Sequence, residues 1–453
     1  MKLLLSILLM LLSLASYSQS DQWWHFGSNA RTNQSSPQTP LTGGCLSTAE
    51  GLACISNTAG NLLFSTDGVT VYNSTCAVMS NGTALIGGAS STQSAIIVKQ
   101  PLSTNRYYIF TAAQEMLVGG IAYSVVDMTL SAGLGAVTIK NSPLVAGPTS
   151  EKITAVRHCN GIDYWIISKA AGNNRFYSWL LTSTGVSAAI ISNSGYAPVL
   201  SNPQTGYGQL KSNSSGTRLA AAYYGALNAV EGNRVELYNF DKSTGIVSSA
   251  VSLGNVNTAY GVEFSLSGQF VYASTNRGQL FQWNLCASSL SRILIADVGP
   301  FLGSMQINRY NQILCSRGTL FAMTAIMFAD NLGASCVFNP TYFTTNAATR
   351  FGLPNFEVST IIPATQIQAV PNGCEAVSFS VNAEISCVSE TVQSYLWSFG
   401  DGSTSLLSNP THGYSTIGTY GVTLQIFYPC RIETVNTTVT VSNSSYVIDL
   451  TMN

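Results

Sequence analysis

Between residues 50 and 330 the chain repeats one grammar: a short apolar stretch, a turn carrying Gly or Asn, an aromatic stretch, another turn and a third stretch. Stretches of this length and alternation predict β-strands joined as an antiparallel meander. The unit is clearest from Gly261 to Leu285. Val262 and Phe264 precede the turn Leu266-Ser267-Gly268, Phe270 and Tyr272 follow it, and beyond Asn276-Arg277-Gly278 comes a strand with Phe281, Trp283 and Leu285. A period of two places those last three side chains on one sheet face.

The same unit can be laid on its neighbours. Ser214-Ser215-Gly216 leads into an apolar strand, Cys159-Asn160-Gly161 into Tyr164-Trp165-Ile166-Ile167, and Ser103-Thr104-Asn105 into Tyr107-Tyr108-Ile109-Phe110. Ala59-Gly60-Asn61 leads into Leu62-Leu63-Phe64, and Arg309-Tyr310-Asn311 into Ile313-Leu314. The turns recur every ~40–55 residues, the period of a four-stranded propeller blade. Radial closure protects the sheet edges that such a meander exposes. The expected fold is therefore all-β: a six- or seven-bladed β-propeller, the seventh blade completed where Trp24-His25-Phe26 meets residues near 320–345. A pair of ordinary β-sandwiches is the competing architecture. The most helix-tolerant stretches, Ala221 to Val230 and Phe321 to Asp330, fall where blades belong and are read as strands.

The N-terminus sets the compartment. Lys2, the apolar run Leu3 to Leu14 and the small residues Ser16, Ser18 and Ser20 make a secretory signal peptide over residues 1–20. The run is short for a membrane span, and no later run approaches the ~20 apolar residues a membrane helix needs. No transmembrane helix is expected after cleavage. Without a cysteine near the cleavage point, lipid attachment there is not expected. With 19 basic against 20 acidic residues, only 9% of the chain charged, there is no field to gather nucleic acid, which is excluded as a partner.

The chain has ten cysteines, none in a CxxC pair, and three histidines, so no metal site is expected. Export favours disulfides. Cys45, Cys54 and Cys76 allow a local bridge. Cys374, Cys387 and Cys430 can pair among themselves or with Cys336, and the sequence leaves the connectivity open.

From about residue 366 the period changes. Pro363 and Pro371 read as punctuation of a linker, followed by Tyr395-Leu396-Trp397-Ser398-Phe399-Gly400-Asp401-Gly402, Pro410-Thr411-His412-Gly413-Tyr414 and Gly418-Thr419-Tyr420-Gly421-Val422-Thr423-Leu424. This segment strongly resembles the PKD domain family. The resemblance implies an immunoglobulin-like β-sandwich with a spacing, adhesion or recognition role. Val422, Leu424 and Ile426 alternate inward, as do Val435, Val439 and Val441. Asp401 and His412 are read as structural: Asp401 in a tight turn between glycines, His412 packed beside an aromatic residue. The resulting division is a signal peptide at 1–20, a propeller-like domain at 21–362, a PKD domain at 363–443 and a tail at 444–453.

A wider resemblance rests on Trp23-Trp24-His25-Phe26-Gly27, Glu50-Gly51, Asn61 to Gly68, Met79-Ser80-Asn81-Gly82, Ser91-Thr92-Gln93-Ser94 and Phe351-Gly352-Leu353-Pro354-Asn355-Phe356. Together these look like the propeller-bearing PKD proteins exported by Bacteroidota. Such proteins use type IX secretion, which reads a C-terminal sorting domain. None is recognised before Asn453, so the sequence leaves open whether the chain is truncated, stays periplasmic or is exported differently, with secreted and surface locations the expectation otherwise.

No nucleophile elbow, phosphate loop, His-Glu-x-x-His or calcium loop is present. Ser65-Thr66-Asp67-Gly68 is similar to a sialidase Asp-box but lacks the residue between Asp and Gly, and reads as a hairpin. A glycosidase would need two facing carboxylates. Glu115, Asp127, Glu231 and Glu263 are available, and spacing brings no two of them together. His25 and His158 lack a nucleophile partner. Trp165, Trp179 and Trp283 could stack on sugars but are expected to fill blade cores. The expected function is thus noncatalytic recognition or adhesion toward an extracellular glycan or surface protein, with no catalytic residue, no cofactor and no assigned ligand residue. The rivals are a secreted polysaccharide hydrolase or lyase with channel carboxylates, and a structural part of an envelope or secretion assembly.

Overall fold

The computed structural model describes residues 20–34, 39–116, 120–345, 347–358, 367–372, 376–381, 392–428, 432–442 and 445–447. Apart from Ser20, the signal peptide lies outside them, as do Cys374, Cys387 and Cys430. Two compact units emerge, one from Ser18 to Ile362 and one built mainly from Pro363 onward. No α-helix occurs among the described residues, only three short 3-10 turns.

The larger unit is seven small antiparallel sheets. Blade 1 holds Trp23–Phe26, Ser28–Asn33 and Thr39–Ser47. Blade 2 holds Ala53–Ser56, Leu62–Thr66 and Val71–Asn73. Blade 3 runs Ala95–Lys99, Arg106–Ala112, Ile121–Asp127 and Ala136–Val145. Blade 4 runs Thr149–Arg157, Tyr164–Ala170 and Arg175–Thr182, with Gly185–Val186 and Ile190–Asn193 both pairing on its third strand. Blade 5 is Leu210–Ser212, Arg218–Tyr223, Arg234–Phe240 and Val247–Asn255. Blade 6 is Ala259–Phe264, Phe270–Thr275, Gln279–Asn284 and Arg292–Asp297. Blade 7 is Leu302–Ile307, Ile313–Arg317, Ala322–Ile326 and Phe338–Thr344. The six turns picked out by the repeat each join the first strand of a blade to its second, from blade 2 to blade 7. Both helix-tolerant stretches contribute strands, Arg218–Tyr223 and Ala322–Ile326.

Side-chain packing puts the sheets in a ring. Alternate residues of one strand serve opposite neighbours: Leu219, Ala221 and Tyr223 pack toward blade 4, while Ala220 and Ala222 pack toward blade 6. A strand covered on both faces carries an unbroken apolar run, which is why Arg218–Tyr223 reads RLAAAY. Clusters of this kind join blades 2 and 3, 3 and 4, 4 and 5, 5 and 6, and 6 and 7. The last cluster sets Leu314, Met323 and Ala325 of blade 7 against Trp24, Phe26 and Leu46 of blade 1 and Cys54 of blade 2. The cyclic order is complete, and Trp165, Trp179 and Trp283 lie in these cores.

Closure uses the end of the unit. Ser28 donates its N–H to the Ala348 carbonyl, Phe351 to Ala49 and Asn355 to Leu52, while Ser304 of blade 7 donates to Phe351 (2.8–3.0 Å). The segment around Phe351–Asn355 therefore lies between blade 7 and the start of blade 2. Arg309 of blade 7 pairs with Asp21, and Tyr310 bonds the Gln34 carbonyl. Gly352 passes so close to the Glu50 backbone that an added Cβ would stand 1.7 Å from its carbonyl oxygen.

The cysteines divide by position. Cys45 of blade 1 is bonded to Cys76 in the loop after blade 2, and Cys159 and Cys286 are also disulfide-bonded. Cys54, Cys315 and Cys336 are free and buried, which removes the pairing with Cys336 that the sequence had left open for the C-terminal cysteines. Burial pushes the Cys54 and Cys315 thiols up to about 12. Within cores they behave as small apolar side chains.

The smaller unit has two sheets: Ile367–Asn372, Ala376–Val381 and Thr411–His412, and a second of Thr404–Ser405, Ser394–Ser398, Gly418–Phe427, Ile432–Ser442 and Ser445–Val447. Val422, Leu424, Ile426 and Val439 meet Phe379, Trp397 and Phe399 in its core, with Val435 and Val441 packed against them. Pro371, read as linker, is inside the first strand opposite Val377. That strand is an edge, where a missing N–H costs no ladder bond.

Gly352→Ala tests the seam. Because the methyl group would meet backbone rather than a movable side chain, we expect a loss of ~1–3 kcal/mol, read as a lower urea midpoint. An unchanged midpoint would show that this seam does not hold the ring.

Candidate functional site

The inner strands, the residues that lead into them and the closing segment around Asn355 carry a set of buried polar side chains toward the axis. Gln93, Glu151, Lys152, Gln209, Lys211, Glu263, Gln306 and Asn355 are all buried there. Their side chains tie neighbouring strands together. Gln93 accepts from the Leu210 N–H (2.7 Å) and donates to the Leu210 carbonyl and to Asn355. Asn355 donates to the Ile153 carbonyl (3.0 Å). Gln209 accepts from the Met305 N–H (2.8 Å). The middle of the axis is thus closed by amide side chains that satisfy backbone groups in dry surroundings.

Toward the end where the inner strands finish, Lys211 and Glu263 pair at 3.6 Å and Lys211 bonds Gln306. Burial pushes Lys211 down, and Glu263 opposes it. They line a cavity of ≈ 10 Å³ with Thr154, Ser212 and Phe356, room for about one water.

The other end, where the inner strands begin, gathers acids and rings. Glu151 is fully buried and spends both oxygens on loops: one accepts from the Thr92 N–H and hydroxyl (both 2.8 Å), the other from the Glu115 N–H (2.7 Å). Glu115 and Met116 have φ of 54° and 55°, a left-handed pair that costs energy for side-chain-bearing residues. Glu151 holds that loop in place. Half-buried Glu50 is pushed up to about 8 by burial, then by Glu151 and Glu115, with Tyr260 partly opposing. Burial and all three carboxylates push the Tyr207 phenol up to about 12, so its hydroxyl shares their space. Tyr207 leans on Tyr224 at 6.2 Å, Tyr260 on Phe351 at 5.9 Å, and Phe301 on Phe351 at 6.0 Å.

Of the acids singled out from sequence, Glu115 alone is in this group. Glu263 is the buried partner of Lys211, Asp127 bonds Thr129 in its own turn, and Glu231 accepts from Asn202. Glu50 and Glu151 were missed as site residues. The usable signal was an acid placed just before or within an inner strand of otherwise small polar residues, Ser91-Thr92-Gln93-Ser94 and Thr149-Ser150-Glu151 being equivalent stretches. His25 is buried, accepts from the Cys45 N–H at 3.1 Å, and is pushed down to about 4 by burial and by Arg31. His158 accepts from the Asn160 N–H in a turn. Asp67 accepts from Val69 and Thr70 in a hairpin. No group of His, Cys, Asp and Glu suited to a metal occurs among the described residues.

In the smaller unit Asp401, Ser403 and His412 meet, without forming a relay. Both Asp401 (2.7 Å) and the Ser403 hydroxyl (3.2 Å) approach the same nitrogen, Nε2; a relay needs one partner on each ring nitrogen. The His412 ring lies flat on Phe399 at 4.1 Å and edge-on to Tyr414. The cluster locks the Gly400–Gly402 turn to a strand.

Residues 361–442 match the family model of the PKD domain. Among solved structures, the chain is similar to the PKD1 domain of the Vibrio cholerae metalloprotease PrtV, at 28% identity over 18% of this chain and 99% of that one, TM-score 0.16. It is similar to the PKD1 domain of Vibrio anguillarum Epp at 23% identity over 17% and 94%, TM-score 0.15. The Dos1 propeller aligns with 71% of this chain and 73% of its own at 12% identity and TM-score 0.42. A search of curated proteins finds no match. The C-terminal module is a PKD domain.

Its Asp401 gives a pH signature. Slight burial works against ionisation, but hydrogen bonds from Ser403 and the His412 contact win and hold the carboxyl down at about 2. A depressed folded-state value adds stability above the unfolded value, ~3.9, that is lost as pH falls toward 2. Asp401→Asn should therefore flatten the acid limb of the PKD transition between about pH 4 and 2, followed by denaturant melts at stepped pH. An acid limb identical to the parent's would contradict it.

Proposed function

We propose that this chain is an exported, noncatalytic recognition or adhesion protein that reads an extracellular glycan or surface protein with the end of the propeller where the inner strands begin, and carries a PKD domain as spacer or interaction module. The observation that carries the reading is the division between a closed axis and an aromatic, acidic mouth. Tyr207, Tyr224 and Phe351 are half-buried and Phe301 is 39% exposed, so their rings have faces to offer. Anchors of this type contribute most of the energy in many binding sites. Export is supported by the signal-like N-terminus, by the disulfides and by the PKD match, since such modules are typical of extracellular proteins. No helix among the described residues is long and apolar enough to cross a membrane. The wider resemblance points to a Bacteroidota-type surface or secreted protein.

A polysaccharide hydrolase or lyase is the second reading, and the mutual influence of Glu50, Glu115 and Glu151 favours it. Against it stands Glu151, whose two oxygens are already occupied by loop donors.

The test is a glycan, polysaccharide and surface-protein binding screen on the mature chain, with a product assay on the same carbohydrates. We expect binding without product, weakened ~10-fold or more, about 1.4 kcal/mol, by Tyr224→Ala or Phe301→Ala. Release of reducing ends or unsaturated sugars would replace recognition with catalysis.

A further inference from the structure

Three loops meet at the end where the inner strands begin, and they meet by direct contact. Gly208, in the turn before blade 5, donates its N–H to the Thr92 hydroxyl (3.1 Å) in the stretch before blade 3. A Cβ added to Gly206 of the same turn would stand 2.7 Å from the Met116 methyl, beside Glu115 in the third loop. Two consecutive residues of the first strand of blade 4 reach all three. Glu151 takes the Thr92 and Glu115 donors. Lys152 is fully buried and gives its ammonium donors to the carbonyls of Gly206, Tyr207 and Gly208 (3.0, 2.7 and 3.0 Å). The Tyr223 ring lies 4.7 Å from the same nitrogen, an aromatic face that favours a cation.

Three successive carbonyls aimed at one point repel one another, and a cation placed among them turns that repulsion into attraction. The shape of the turn therefore depends on the ammonium, whereas an apolar side chain would leave its buried acceptors short of donors. The turn carries Tyr207, whose carbonyl also accepts from the Tyr224 N–H (3.3 Å) and whose ring rests on Tyr224 at 6.2 Å. We propose that Lys152 is a positioning residue of the recognition end: its ammonium fixes the turn that presents Tyr207 and Tyr224, the half-buried rings offered to a ligand. The inference rests on the recognition reading for its purpose and on the hydrogen bonds for its geometry.

Lys152→Ala empties the nest of carbonyls, and amide hydrogen exchange of the full mature chain reads the result. At about pH 6, where Lys152, pushed down to about 7 by burial, still holds its proton, the amides of Tyr207, Gly208 and Tyr224 should exchange at least ~10-fold faster in the variant while those of blade 1 keep their rates. Methylammonium chloride should restore the parent's protection, and tetramethylammonium chloride, which has no N–H to donate, should not. The unaltered chain supplies an arm that needs no variant to fold. Above about pH 8 the neutral amine has two donors for three carbonyls, so the same amides should open more readily once the intrinsic rise of exchange with pH is divided out. Glu151 on the same strand opposes loss of that proton and Lys169 of the second strand of blade 4 promotes it, while the Tyr207 and Tyr223 phenols are raised and stay neutral. Protection that ignores both the substitution and pH, or that methylammonium fails to restore, overturns the proposal. If the nest behaves as stated in a chain that binds nothing in the screen above, the recognition reading fails and the hold of Lys152 on the turn stands.

Discussion

Every sheet of the larger unit has to be covered on both faces by another sheet of the same chain, and the rest of its structure depends on that. A three- or four-stranded sheet is too small to be stable alone, and here each central strand sends alternate side chains to opposite neighbours. With six sheets packed in sequence, the two free faces would remain exposed. Blade 1 and the returning segment Phe351–Asn355 remove both at once, with Trp24, Phe26 and Leu46 filling the seam. Sequence-distant ends must therefore meet before the ring can hold. That makes the backbone approach of Gly352 to Glu50 a closing contact, although neither residue is apolar.

Closure has a second effect, at the axis. The first strands converge there, and their inner backbone groups face one another across too little space for apolar side chains to fill neatly. Gln93, Gln209 and Asn355 meet this need: each amide offers donors and an acceptor that replace water for neighbouring strands. Polar residues on the innermost strands are therefore structural over most of the axis.

This explains what the sequence made legible. The meander, its period and the six equivalent turns were readable because turn chemistry and strand alternation are local. The Phe281-Trp283-Leu285 face and the core places of the tryptophans followed from the same local rule. The PKD hallmarks were readable as a motif. Closure depends on contacts between residues about 300 positions apart, so the expectation that Trp24-His25-Phe26 completes a blade with residues near 320–345 is corrected: that segment opens a sheet of its own, Trp23 to Ser47, while Ala322–Ile326 and Phe338–Thr344 finish blade 7, and the two sheets meet by packing. The mouth was harder still. Glu50 and Glu151 are unremarkable acids one hundred residues apart, and only the ring makes them neighbours. Pro371 misled in the opposite direction, since a breaker is harmless on an edge strand.

The two carboxylates at the mouth differ in a way that constitution alone cannot show. Glu151 is more deeply buried than Glu50, yet its charge is met by three donors from loops that it holds in place. Glu50 is partly open, and burial together with its acidic neighbours pushes it up to about 8. Burial raises both acids; at Glu151 the loop donors and Lys152 oppose it, whereas at Glu50 the neighbouring carboxylates add to it. Glu151 thereby shapes the loop that carries Glu115.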